Sequence, residues 1–531
     1  MNPDLSTSLP IGACSDGPDE ASNLPDKGFP KDFHDIGDRA SESDFPNYHI
    51  ANSHSLFAYS EFHSLELGTG ASIYANSLLQ AFLSAKSEII LVTCFWAKSS
   101  TLTSLSETLS RLAEFRKEHL SKTPRTSEDG ESPPVLRVRI HLSSLSALQK
   151  LLHPQSRAGY IFPPSQWNSK LGLPSQQVLE DGFIDLQVKS LFLLPFSVMH
   201  PKFLIIDRER AWLPSCNVSW EAWLEGCVEV KGEVISKLLQ FYWEVWEVGK
   251  DGVVPPCTFP ATYLRWRENP QKFEPFERMK DAEGLRNAGW IKDITSPTST
   301  VLKPESPLQK IPTILLPSSH HRNPHFRLPF QRYHAPPPTP LNEAITKLFH
   351  LTTRSIYIQT PNLTSPPVLE LIIQALQRGV DVTITTSKGM MTLEQLLTAG
   401  TTTSRCIRKL IKQYISLSSA SSSSASPSQT SDALESQPPL LGRLRISYFH
   451  PNQANMTSNV PEEPVQSHLK LVIFDGVYTV LGSGNMDRAS WYTSQELGIL
   501  FMSEKIAGLV RSAVDGILEG RRREIFDSYE E

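Results

Sequence analysis

The 531-residue sequence predicts a duplicated α/β fold, two mixed-sheet halves of one design on a single chain. Three observations predict it. First, one polar frame occurs twice: His200, Lys202, Asp207, Ser215 and Asn217 recur at the same offsets as His468, Lys470, Asp475, Ser483 and Asn485. A given position starts such a five-residue frame by chance about once in 3 million, so two copies reflect duplication rather than composition. Second, the distance from an apolar strand to the frame is 111 residues from Ile89 to His200 and 112 from Ile356 to His468. Third, the order helix, strand, helix, strand precedes both frames, as two copies of one unit require.

In chain order, residues 1–50 are rich in Asp, Ser, Pro and Gly without apolar periodicity and read as a disordered tail. The first repeat occupies 51–250. Ile73, Leu78, Leu79, Phe82 and Leu83 mark an amphipathic helix, residues 88–96 a buried strand, 104–120 a helix and 135–143 a strand. A further strand at 183–190 leads towards His200. The segment 251–310, proline-rich and polar, reads as a linker. The second repeat, 311–531, has a helix at 341–352, a strand at 354–363, a helix at 367–379, and strands at 380–387 and 443–449. Residues 416–439 inside it are Ser-rich and read as a disordered inserted loop. Each frame reads as strand-turn-strand, and each repeat closes with an amphipathic helix, at 232–248 and 504–520. The aromatic stripe Phe241, Tyr242, Trp243 and Trp246 reads as core, because the matching C-terminal helix carries an ordinary apolar stripe.

Composition narrows the function. Asp and Glu outnumber Lys and Arg, 56 to 51, so no global basic field points to nucleic acid. The six cysteines show no metal-ligand spacing and suit free thiols in a reducing compartment. The N-terminus has neither the basic nor the apolar region of a signal peptide, and no apolar run is long enough to span a bilayer. The expectation is an intracellular protein, cytoplasmic or peripheral to a membrane, working as a monomer with internal pseudo-two-fold symmetry. Three smaller features stand out: the His/Arg-rich stretch 320–334, Asn362 where a βα loop would reach a site rim, and the basic run 520–524 at a helix end.

The recurring residues suit phosphodiester chemistry. Histidine can act as nucleophile or acid near neutral pH. Lysines supply charge and asparagines and serines supply donors for phosphoryl oxygens. An aspartate can fix an imidazole's tautomer and orientation. Two copies provide one nucleophile and one acid if both loops reach a single pocket.

These residues resemble the two HKD motifs of the phospholipase D superfamily, and the likeness extends to Glu225 and Glu496, which align when 225–238 is laid on 496–509. Departures are Pro201 inside the first motif and Pro214 where a glycine is usual. The resemblance implies two α/β halves packed as a pseudo-dimer with one shared active site, a phosphohistidine intermediate, and no metal or other cofactor. It implies His200 as nucleophile and His468 as acid, although the near-symmetry of the motifs suits either order. Lys202, Lys470, Asn217 and Asn485, with Ser215 and Ser483, would hold the phosphate. Asp207 and Asp475 would orient the imidazoles, and Glu225 and Glu496 would support from behind. The expected substrate is a glycerophospholipid, with Leu191, Phe192, Leu193, Leu194, Phe196 and Met199 near the mouth to receive its chains. The alternatives are a nuclease or nucleotide phosphodiesterase of the same superfamily, and a non-catalytic lipid-binding scaffold.

Overall fold

The computed structural model describes residues 30–36, 53–122, 134–145, 149, 158–192, 198–249, 299–319, 335–423, 441–457 and 463–529. Its backbone is a large mixed sheet with helices on both faces. The first half supplies β1 (Phe57–Thr69), then α1 (Gly70–Ile73), which passes through a π-helical turn (Tyr74–Leu78) into α2 (Leu79–Leu83). Next come β2 (Glu88–Phe95), α3 (Ser100–Lys122), β3 (Leu136–Ser144), β4 (Tyr160–Ile161), α4 (Ser165–Leu171), α5 (Gln176–Asp181) and β5 (Ile184–Ser190). A hairpin of β6 (Phe203–Ile206) and β7 (Arg210–Pro214) leads to β8 (Trp223–Gly232) and α6 (Val234–Trp246).

After β9 (Thr300–Leu302), the second half runs β10 (Leu308–Ser318), α7 (Pro340–Leu351), β11 (Ser355–Thr360), α8 (Pro366–Gln377) and β12 (Asp381–Thr386). It continues with α9 (Thr392–Ala399), α10 (Thr403–Ser423), β13 (Leu444–Phe449), α11 (Gln453–Thr457) and β14 (Gln466–Ser467). It closes with the hairpin of β15 (Leu471–Phe474) and β16 (Tyr478–Gly482), then α12 (Arg488–Tyr492), β17 (Glu496–Met502), α13 (Glu504–Ile517) and β18 (Arg522–Asp527).

Pairing repeats strand for strand. In the first half β5, β3 and β2 are parallel neighbours, and β2, β6, β7, β8 and β1 continue antiparallel. In the second, β13, β12 and β11 are parallel, and β11, β15, β16, β17 and β10 continue antiparallel. The antiparallel pair β1–β10, from Phe57 opposite Ile314 to Phe62 opposite Leu308, joins the two series edge to edge.

Side chains alternate across this sheet, as a strand's period of two demands. Ile89 and Leu91 face a core belonging to the first half, Ile356 and Ile358 one belonging to the second. Ile90, Val92, Phe203, Tyr357, Leu471 and Ile473 point the other way, into a third core drawn from both halves. That shared core is covered by α6 and α13, and Phe241, Tyr242, Trp243 and Trp246 are all inside it, as the sequence suggested. Ser503 starts α13 as an N-cap, its hydroxyl accepting from the Ile506 amide.

Several expectations need correction. Residues 30–36 are not free tail: Phe33 and Ile36 are buried in the second half's core, and Lys347 bonds the Asp32 carbonyl at 2.7 Å. An acidic, Pro- and Gly-rich composition hid two apolar anchors. The supposed linker 251–310 contains β9 and the start of β10, whose Leu308 pairs with Phe62. Helix α10 continues to Ser423 and so takes up 416–423, because its amphipathic start carries a helix into serines that have no packing preference of their own. The basic run at 520–524 is mostly strand, with Arg521 ion-paired to Glu463 at 2.6 Å. Leu191 and Met199 belong to the shared core and Phe192 is buried, so these three form no lipid-facing rim; Leu193, Leu194 and Phe196 lie outside the described residues, as does 320–334.

Candidate active site

Both histidines sit just before the first strand of a hairpin, and each is tied to the opposite half. The His200 amide donates to the Gln495 carbonyl at 3.0 Å, and the His468 amide donates to the Leu224 carbonyl at 2.8 Å. Gln495 and Leu224 each precede a glutamate. As a result His200 Nδ1 lies 2.8 Å from Glu496 Oε2, and His468 Nδ1 lies 2.8 Å from Glu225 Oε1. An Nδ1–H donated to a carboxylate leaves the lone pair of a neutral imidazole on Nε2.

The glutamates, expected only behind the site, are the direct partners of the imidazoles, and the serines hold the glutamates. Ser215 Oγ donates to Glu225 Oε2 at 2.5 Å and accepts from the Gly226 amide. Ser483 Oγ donates to Glu496 Oε2 at 2.5 Å and accepts from the Leu497 amide. With both lone-pair and proton engaged, neither serine is a spare phosphate donor, which corrects that expectation.

The aspartates also differ from expectation. Asp207 and Asp475 occupy hairpin turns, with left-handed φ of 51° and 52°, followed by Arg208 at 57° and Gly476 at 68°. Two successive positive φ values are the type I′ turn that suits a two-stranded hairpin, and Asp-Gly is a favoured pair for it. The Glu209 amide closes the first turn on the Ile206 carbonyl and the Val477 amide closes the second on Phe474. Asp207 accepts from the amides of Lys86, Ser87 and Glu88 and from Ser87 Oγ. Asp475 accepts from the amides of Thr353, Arg354 and Ser355. Neither carboxylate reaches an imidazole. They lock the hairpin bearing the site onto the start of β2 or β11. Asp207→Ala is therefore expected to lower unfolding free energy by about 3 kcal/mol, since it leaves buried amides without an acceptor. Urea denaturation checks this, and Asp475→Ala, at the more exposed turn, should lose less.

Lys202 and Lys470 each donate to the carbonyl of the histidine two residues before, both at 2.9 Å. Burial pushes the Lys470 ammonium down to about 7, against the pull of Glu225 and with the help of Lys202. Burial also pushes His468 down to about 4 and lowers His200, the paired glutamate opposing it in each case. The charges of Lys202 and Lys470 act on both imidazoles. For Glu225 and Glu496 burial works upward, but the imidazole partner and the hydroxyl donors outweigh it and hold both carboxyls below the usual glutamate range.

The asparagines are placed differently in the two halves. Asn217 Oδ1 accepts from the Phe95 amide at 3.2 Å, which leaves its Nδ2 donors for another partner. Asn485 Nδ2 donates to Asp487 Oδ2 at 3.1 Å. Asn362 is buried and bonded to Gln395, so it lines no rim.

Two participants escaped the sequence reading. Ser490 on α12 donates to Glu496 Oε1 at 2.7 Å and accepts from the Asn485 amide. A signal existed: eleven residues separate Asn485 from Glu496, against eight from Asn217 to Glu225. The extra three accommodate α12. Trp223 lies over the His468 imidazole with ring centres 4.9 Å apart. The His468 side chain is accordingly 4 % exposed, and that of His200 14 %, so His200 is the more open of the two. A surface groove of about 530 Å³ lined by Val135, Ile161, Trp167 and Phe183 includes none of these residues. Among the described residues, no three His, Cys, Asp or Glu side chains are grouped as a metal site needs.

Comparison with known proteins gives a family. Residues 345–517 match the model described as "Cardiolipin synthase, PLD-like domain". The fold is similar to that of phosphatidylserine synthase from Haemophilus influenzae Rd KW20, with a TM-score of 0.51 and 15% identity over 89% of this chain and 90% of that one. Weaker likenesses, too low to carry an argument, link it to polyphosphate kinase from Porphyromonas gingivalis and to Nuc, a phospholipase D family member from Salmonella typhimurium. The former has TM-score 0.39 and 10% identity over 86% of this chain and 50% of that one; the latter has 0.22 and 17% over 35% and 90%. No curated protein matches the sequence. Residues 345–517 thus match the phospholipase D-like, cardiolipin synthase-type family, and the His-x-Lys frame that lies within this match recurs in the first half.

Proposed function

We propose that the protein is a phosphodiesterase or phosphatidyltransferase of phospholipase D type acting on glycerophospholipids, with both halves forming an internal pseudo-dimer around one active site. The crossed histidine–glutamate pairs carry this reading: each imidazole is oriented by the acid of the other half. In the first step His200 Nε2 bonds to phosphorus as the bond to the leaving alcohol oxygen breaks, and a protonated His468 gives that oxygen its proton. The phosphoanion between the two lysines favours the imidazolium that this step needs. In the second, neutral His468 takes a proton from water or an acceptor alcohol, whose oxygen displaces His200 from phosphorus and regenerates both rings. Lys202, Lys470 and the free amide donors of Asn217 hold the non-bridging oxygens in this scheme.

Head-group release from phosphatidyl liposomes, with and without glycerol or ethanol, tests the substrate class beside cleavage of single- and double-stranded DNA and RNA. Released head group, or a new phosphatidyl alcohol, is the expected result. Efficient nucleic-acid cleavage with inert liposomes would replace it by the nuclease. Turnover is expected to survive EDTA, because lysines stand where a metal would meet the phosphate. Complete loss that zinc or magnesium restores would contradict the two-histidine scheme. The repeat boundaries 51–250 and 311–531 belong to the same proposal.

A further inference from the structure

Helix α9 is inside out. Its buried residue is Gln395, whose Nε2 donates to Asn362 Oδ1 at 2.7 Å and to the Met390 carbonyl at 2.6 Å, while its Oε1 accepts from the Thr403 amide at 2.6 Å. The face made by Leu393, Leu396 and Leu397, spaced i, i+3 and i+4, is turned to solvent and 73%, 41% and 64% exposed. Met391, held left-handed at φ 50°, starts the helix and is exposed as well. A helix that buries a glutamine and shows its leucines to water gains nothing from the core on that face. It is built to meet an apolar phase.

Charge says which phase. Helix α10, next in sequence, carries exposed Arg405, Arg408, Lys409 and Lys412, and exposed Lys388 precedes α9. Between 388 and 412 there are five basic residues and one acid, Glu394, a net +4 in a chain of net −5. A local cationic cluster beside an apolar face suits an anionic lipid surface. Position ties this surface to the site. Ser387, at the end of β12, bonds the Ser467 carbonyl at 2.7 Å, next to His468. Arg488 of α12 bonds the Thr398 carbonyl at 3.0 Å, and α12 carries the Ser490 that holds Glu496.

We propose that α9 is an interfacial anchor: Leu393, Leu396 and Leu397 enter the acyl boundary of an anionic phospholipid bilayer while the basic residues of α10 lie against its phosphates. Docked this way, the helix sets the site beside the layer that holds its substrate. The inference rests on the phospholipid reading above.

The test compares wild type with Leu393→Glu/Leu397→Glu and with Lys409→Glu/Lys412→Glu. Co-sedimentation uses vesicles of phosphatidylcholine with and without phosphatidylglycerol, at low and high salt. A second assay follows turnover of a short-chain phospholipid below its micellar concentration. Wild type should bind the anionic vesicles, the leucine variant should lose about tenfold or more in partitioning, and the lysine variant should lose the salt-sensitive part. Turnover of the monomeric substrate, and the far-ultraviolet dichroism, should be unchanged in both variants. Vesicle binding by the leucine variant equal to wild type overturns the anchor. So does a wild type that ignores vesicles, or one whose leucine face proves to join a second copy in sedimentation velocity. If wild type turns over monomeric lipid but does not bind vesicles, the anchor fails and the phospholipid reading stands. Leucine-dependent vesicle binding without turnover of any phospholipid leaves the anchor standing and removes the reading.

Discussion

His468→Asn is expected to lower kcat by about four orders of magnitude or more, and His200→Asn to do the same, with both proteins folded. Neither step of the two-histidine scheme has a substitute donor or nucleophile nearby. The serines are bound to the glutamates, Asp207 and Asp475 are committed to backbone amides, and Lys202 and Lys470 are bonded to the His200 and His468 carbonyls. A loss of that size corresponds to roughly 5.5 kcal/mol of transition-state stabilisation. Single-turnover assays on vesicles and on soluble substrate would measure it, with thermal melting as the check on folding. If either variant kept near-normal rates, one site served by both histidines would be the wrong description. Mass spectrometry after rapid acid-free quenching should find a phosphoryl adduct on one histidine in wild type, and on neither residue in the variant lacking the nucleophile.

Much of the fold was legible because the duplicated unit announces itself twice. The strands at 88–96, 183–190 and 443–449 and the closing helices are apolar enough to be read alone, and the constant distance to each frame supplied the architecture. What escaped lacks a local signature. β1 and β10 join the halves, but a strand is assigned to a sheet edge or a sheet centre by its partners, which lie up to some 250 residues away. Phe33 and Ile36 are two apolar residues in a polar stretch, and no period can be read from two positions. Helix α9 went unread because its leucines face outward, so the expected pattern of a packed helix is reversed.

At the site, the residue types were legible and their partners were not. Sequence order put each aspartate seven residues after its histidine, an attractive distance for a triad, yet a hairpin turn carries the aspartate to the far end of the strand from the imidazole. The glutamates, 25 and 28 residues beyond the histidines of their own halves, looked remote. They are first in contact because β8 and β17 run beside the chain of the opposite half, through the Leu224–His468 and Gln495–His200 backbone bonds. A repeated motif identifies the parts; which copy of each part meets which is decided by pairing between the halves.

Glu225→Gln is the variant in which this crossed arrangement should be most visible. The substitution keeps size and leaves Ser215 in place, but an amide can turn its NH₂ towards Nδ1 and so hold His468 in the wrong tautomer, with the proton on Nε2. A loss of about 10³- to 10⁴-fold in kcat/KM is expected, the scale on which a misoriented catalytic imidazole usually costs activity. The pH dependence adds a sign. Burial depresses His468 to about 4, and Glu225 is the chief influence raising it, so a neutral glutamine should move it lower still. If His468 is the acid, the limb of kcat/KM that falls with rising pH moves to lower pH in Glu225→Gln, and the limb set by His200 moves in Glu496→Gln. Stability follows the same linkage. A histidine depressed from 6.5 to about 4 contributes stability that is complete above 6.5 and lost as pH falls towards 4, because the unfolded chain takes up the proton first. Glu225, held below the usual glutamate range, loses its contribution in the same direction as pH falls through its folded value. Wild type should therefore lose stability on acidification from about pH 6.5; Glu225→Gln lacks the carboxylate's share, while its more depressed His468 extends the loss to lower pH, so the two profiles should differ in shape. Urea unfolding between pH 4 and 7 measures that difference; equal acid sensitivity in the two proteins would mean that the Glu225–His468 pair does not set it.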